Sequence, residues 1–84
     1  MKSNKYNMTK QALLDLINAV LLIKDSAPIK KLSEEDSLRT NFNFDSLDLA
    51  SLTVRIEDKF GIDIFEEGTI DKIGEIINKI EGVR

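Results

Sequence analysis

Eighty-four residues give room for one domain around one hydrophobic core, and nothing in the sequence suggests a second. There is no cysteine and no histidine, which excludes disulfides, thiolate metal sites, cysteine nucleophiles and Ser-His catalysis. A formal net charge of −3 and an isoelectric point near 4.9 argue against a nucleic-acid partner and for a basic protein partner.

Lys2, Lys5, Lys10, Lys24, Lys30 and Lys31 make the first part basic, whereas acids gather from Glu34 onward. The opening residues are too polar for a signal segment or a membrane span, so the expectation is a soluble cytoplasmic protein with residues 1–6 as a flexible N-terminus. From about Asn7 to Ile23, Leu13, Leu16, Ile17, Val20 and Leu21 recur at helical spacing. Thr9 or Asn7 is the candidate cap of this first helix, and Pro28 falls beyond its end.

Residues 24–45 form a connection long enough to imply either function or disorder. Ile29, Leu32, Leu38, Phe42 and Phe44 supply apolar anchors, which favours an ordered segment lying across the helices. Ser33-Glu34-Glu35-Asp36 predicts one short helical turn with Ser33 as its cap.

The clearest helix runs from Ser46 to Phe60, with a stripe of Leu49, Leu52, Ile56 and Phe60 and a stop signal at Gly61. Asp45 or Ser46 is its cap. The serine thus stands at a helix N-terminus, where free N–H groups and the helix dipole favour an attached anion. Ile62 to Phe65 reads as a connection, too short and isolated for a sheet. Ile70, Ile73, Ile76, Ile77 and Ile80 mark a last amphipathic helix, with Thr69 or Asp71 as cap and Gly82 at its close. Gly74 inside that helix costs about 1 kcal/mol relative to alanine and predicts a close helix contact.

Asp45-Ser46-Leu47-Asp48-Leu49, opening a helix that ends Glu57-Asp58-Lys59-Phe60-Gly61-Ile62-Asp63-Ile64, resembles the attachment motif of acyl carrier proteins. With the long preceding connection and the Ile-rich last helix, the resemblance covers nearly the whole chain. It implies an all-α, four-helix bundle in which three main helices are joined by a short third one over residues 66–69, within a single domain spanning 1–84. It implies further that a phosphopantetheinyl transferase attaches 4′-phosphopantetheine from coenzyme A to Ser46. A chain without nucleophilic apparatus of its own fits that role, because transferase and partner enzymes supply the chemistry. The chain is then a carrier and not an enzyme.

Leu47 and Val54 lie two turns apart and off the apolar stripe, while Asp48, Ser51, Arg55 and Asp58 share a neighbouring face. Together with Asp45 these residues make a candidate docking surface. The resemblance implies that it meets basic patches on synthases or transferases, and on the ligase or acyltransferase that loads an acyl or aminoacyl group, in fast transient encounters of a monomer. It also implies that Leu52, Ile56, Ile64 and Ile73 line a cavity for an acyl chain. The chain departs from the family pattern in its muted acidity, in Ser51 and Arg55, and in Asn43 where glycine is common three residues before the serine. The resemblance implies acyl intermediates of a fatty-acid, polyketide or specialised lipid pathway, and the departures lean toward a specialised carrier, either of a secondary-metabolite or lipid-modification pathway or of an aminoacyl type. An aminoacyl or peptidyl carrier, such as a D-alanyl carrier, is the alternative, and an unmodified helical interaction module is the reading from a different class.

Overall fold

The computed structural model describes residues 4–64 and 71–82. Three helices occupy them: α1 (Asn4–Ile23), α2 (Ser46–Phe60) and α3 (Ile73–Ile80). No strand forms among the described residues, and α1 packs against both α2 and α3. The all-helical architecture is the expected one. The short helix expected over 66–69, Ile70 of the last stripe and positions 1–3 of the N-terminal segment lie outside the described residues.

The helical stripes read from the sequence form the core. Leu13, Ile17, Leu52, Ile56, Ile64, Ile73 and Ile76 are fully buried, joined by Val20, Leu21 and Ile77. Helix α1 starts at Asn4, three residues ahead of its expected start near Asn7. Thr9 is therefore a buried residue inside the helix and not its cap. Helix α3 starts later than expected, behind Lys72 in cap position, which makes no side-chain cap bond. Asp71 does not cap it because its carboxylate is turned to the connection, where it accepts from the Ser37 hydroxyl and, at 3.0 Å, from the Arg39 N–H.

The long connection is ordered by its apolar anchors and by polar side chains that complete its backbone hydrogen bonds. Leu32, Leu38 and Phe44 are buried, with Ile29 and Phe42 packed on the same core. Asn18 of α1 grips the backbone of Ile29 at both ends, accepting its N–H at 2.8 Å and donating to its carbonyl at 3.0 Å. At Ser33–Asp36 the chain makes a tight turn rather than a helical one. The Ser33 hydroxyl accepts from the Glu35 N–H at 3.3 Å, and the Asp36 carboxylate accepts from the Ser33 N–H at 2.8 Å.

Three backbone bonds then fasten the connection to the start of α3: Leu38 N–H to Asp71 O at 3.0 Å, Ile73 N–H to Asp36 O at 3.0 Å, and Gly74 N–H to Glu34 O at 2.9 Å. They explain Gly74. A Cβ at this position would sit 3.3 Å from both the backbone oxygen and the Cβ of Glu34. The close contact expected there is made with the 33–36 turn and not with a helix. Gly74→Leu should lower unfolding stability by about 1–3 kcal/mol through overpacking against a backbone that is itself hydrogen-bonded, measured as a reduced urea midpoint. An unchanged midpoint would show that the turn yields freely.

Candidate functional site

Helix α2 begins because Asp45 stops the preceding chain in extended geometry and caps the first helical turn. Its φ and ψ are −100° and −171°, and its carboxylate accepts from the Asp48 N–H at 2.9 Å. Asp48 answers by accepting the Asp45 N–H at 3.0 Å, which completes a reciprocal capping box. Sequence alone leaves the cap open between Asp45 and Ser46. With Asp45 in that role, the exposed Ser46 is the first residue of the helix and its hydroxyl stands outside the capping bonds. The first-turn N–H groups of Ser46 and Leu47 have no carbonyl within the helix to reach, so this end favours a negative group.

The chain enters this helix through an unusual turn. Asn43 has φ of 59°, in the left-handed region that non-glycine residues seldom adopt. Lys24, just past the end of α1, reaches across to it. Its ammonium donates to the Asn43 carbonyl at 2.8 Å and to the Asp48 carboxylate at 2.7 Å, and lies 5.5 Å from the centre of the Phe44 ring. The Lys24 bond first, and then the Asp45 N–H, hold the Asp48 carboxyl below its ordinary value against the opposing effect of burial.

Of the expected docking residues, Asp45, Leu47, Val54 and Asp58 are exposed, Leu47 at 80% and Val54 at 64%. Ser51 and Arg55 are half-buried. The Asp48 carboxylate is occupied by Lys24 and Asp45, and only 14% of its side chain is exposed. Leu52, Ile56, Ile64 and Ile73 come together, each fully buried in the closed core.

Beside Ser46 lies an open groove of about 470 Å³, lined by Leu49, Ala50, Thr53 and Val54 of α2, with Arg39 and Asp63 also on its walls. Sequence reasoning does not find Arg39, Thr53 or Asp63 as neighbours of Ser46, nor Lys24. The spacing of Ser46, Leu49, Ala50, Thr53 and Val54 on one helical face is a signal for the groove's floor. Nothing local marks Lys24, which is 22 residues from the serine.

Residues 11–80 match the family described as the phosphopantetheine attachment site. Acyl carrier protein 3 of Ralstonia nicotianae is 28% identical over 76 residues, which cover 88% of this chain and 87% of that protein. No solved structure matches significantly. A helix opened by Asp-Ser-Leu, with its cap supplied by the aspartate, thus stands in a chain that belongs to the acyl carrier protein family, whose cofactor is covalent 4′-phosphopantetheine. An exposed hydroxyl at a helix N-terminus, beside a groove with apolar and polar walls, fits that group.

Asp71 carries the second lowered carboxyl. Burial opposes its ionisation, but bonds from Ser37 and the Arg39 N–H, with the charges of Arg39 and Lys72, outweigh it. Both Asp48 and Asp71 are more acidic folded than unfolded, so the unfolded chain takes up their protons first on acidification. Their contribution is complete above the ordinary aspartate value of 3.8 and is lost as pH falls through the lower folded values. Urea midpoints measured from neutral pH down to about pH 3 should therefore fall, and fall less steeply in Asp48→Asn and Asp71→Asn. Equal slopes in all three proteins would refute the linkage.

Proposed function

We propose that Ser46 is the attachment point and that the chain carries acyl intermediates as thioesters, presenting them to partner enzymes without catalysing a reaction itself. One observation supports this most: Asp45, and not Ser46, caps α2. Capping is the ordinary duty of a serine in this position, and here the aspartate performs it, leaving an exposed hydroxyl beside an electropositive helix end.

In attachment, the Ser46 Oγ forms a bond to the phosphorus of coenzyme A that bears pantetheine. The pyrophosphate bond breaks, adenosine 3′,5′-bisphosphate leaves, and the serine proton passes to a base on the transferase. The bound arm supplies a terminal thiol that holds cargo as a thioester. This chain's residues then have two tasks. The α2 N-terminus offers N–H groups to the phosphodiester, and Leu49, Ala50, Thr53 and Val54 offer a surface along which an arm can rest.

Leu47 and Val54, with Asp45 and Asp58 as exposed acids, form the surface offered to transferase, loading enzyme and synthase, and basic patches on those partners complement the acids. Ser51 and Arg55 flank it. The name of the Ralstonia relative favours acyl cargo. An acyl chain sheltered among Leu52, Ile56, Ile64 and Ile73 requires the closed core to part. We place the carrier in the cytoplasm, where coenzyme A and its transferases operate.

Incubation with coenzyme A, Mg²⁺ and a broad-specificity transferase should add the mass of one phosphopantetheine to wild type and none to Ser46→Ala. An unmodified wild type, under conditions that convert a control carrier, sinks the reading. Leu47→Asp should slow arm transfer while shifting unfolding stability by no more than about 0.5 kcal/mol, because the side chain is exposed. Unimpaired transfer to this variant would remove Leu47 from the docking surface.

A further inference from the structure

Ser46 takes its position from the turn at Asn43, two residues ahead of the cap, which adopts a left-handed conformation that asparagine tolerates better than most residues and glycine better still. The Phe44 N–H anchors this turn on the Leu38 carbonyl at 3.0 Å, and its other bonds come from farther along the chain. Lys24 Nζ lies 2.8 Å from the Asn43 carbonyl oxygen and 2.7 Å from Asp48 Oδ2. Asp48 Oδ2 in turn accepts the Asp45 N–H at 3.0 Å. One ammonium group thus bonds the residue that begins the turn and the carboxylate that closes the capping box, with Ser46 between them in sequence.

The Lys24 side chain is also sheltered, 23% exposed against 14% for Asp48, and rests over the Phe44 ring. An ion pair between freely exposed side chains contributes little. The bond to Asp48 is partly withdrawn from water, and the same ammonium makes a second short bond, at the surface, to the Asn43 carbonyl, so one charge in one geometry bears on the backbone of the turn.

We propose that Lys24 is a positioning residue for modification: it holds the left-handed turn at Asn43, and so keeps Ser46 in the orientation that a phosphopantetheinyl transferase engages. The inference rests on Ser46 being the attachment point. Lys24 does not touch the reacting atoms. Its loss lets the turn sample other conformations, and the competent fraction falls. Apparent affinity falls by that fraction while turnover of the bound complex does not. The signature is therefore a raised KM for the apo-carrier at unchanged kcat.

Asn43 provides the decisive control, because glycine adopts positive φ without side-chain crowding. Lys24→Met should raise the transferase KM about tenfold in the Asn43 background, a size typical of losing a charged hydrogen bond at a strained turn. In an Asn43→Gly background the same substitution should change KM less than about twofold, since the turn no longer depends on the tether. Amide hydrogen exchange at Asp45 and Asp48 should show the same pattern, faster in Lys24→Met and slowed again in the double variant.

The four proteins form a double-mutant cycle, and if Lys24→Met folds poorly, Lys24→Gln takes its place in both backgrounds with the same outcomes expected. Equal KM for wild type and Lys24→Met overturns the proposal, and so does an equal loss in both backgrounds, which would make Lys24 a direct transferase contact. Failure of wild type to be modified at all is a different result. It would overturn the Ser46 assignment before Lys24 is tested.

Discussion

Buried backbone polar groups must find partners, and a connection of more than twenty residues without helix or strand has few of its own to offer. In this chain side chains supply many of them. Asn18 meets both partly buried backbone groups of Ile29, and Asn41 accepts the partly buried Ser37 N–H at 2.7 Å; nearer the surface Asp71 accepts the Arg39 N–H and Lys24 donates to the Asn43 carbonyl. Each of these bonds allows a stretch of irregular chain to lie on the core, and the buried Leu32, Leu38 and Phe44 then close it. The position of α2, and with it of Ser46, depends on how that connection is held.

The carrier's chemistry is correspondingly spare. A chain without cysteine or histidine contributes a hydroxyl, a helix end and a surface. What it controls is presentation. The aspartate cap frees the serine from structural duty, and the capping box keeps the first turn of α2 wound while leaving its positive end open to an anion. The groove beside it combines the apolar Leu49, Ala50 and Val54 with the polar Thr53, Arg39 and Asp63.

Much of this is legible in the sequence where a local rule applies. Leu49, Leu52 and Ile56 repeat with the helical period, so both the helix and its buried face can be read directly, and Gly61 closes it in the left-handed geometry that its position implies. The anchors of the connection are visible as apolar residues in a polar segment. Other features are not legible because their partners are remote in sequence. Asn18 looks like a solvent-facing residue until the chain doubles back to Ile29. Asp71 looks like a helix cap, but Ser37 and Arg39, more than thirty residues earlier, claim its carboxylate. Lys24 reads as an ordinary lysine past the end of a helix, and its tie to Asn43 and Asp48 exists only once α1 and α2 are packed.

The three backbone bonds between residues 34–38 and 71–74 have a mechanical consequence. They rivet the middle of the connection to the root of α3, so these two parts move as one plate. The Phe44 N–H also bonds the Leu38 carbonyl, at 3.0 Å, so the same plate reaches the entry to α2, two residues ahead of Ser46.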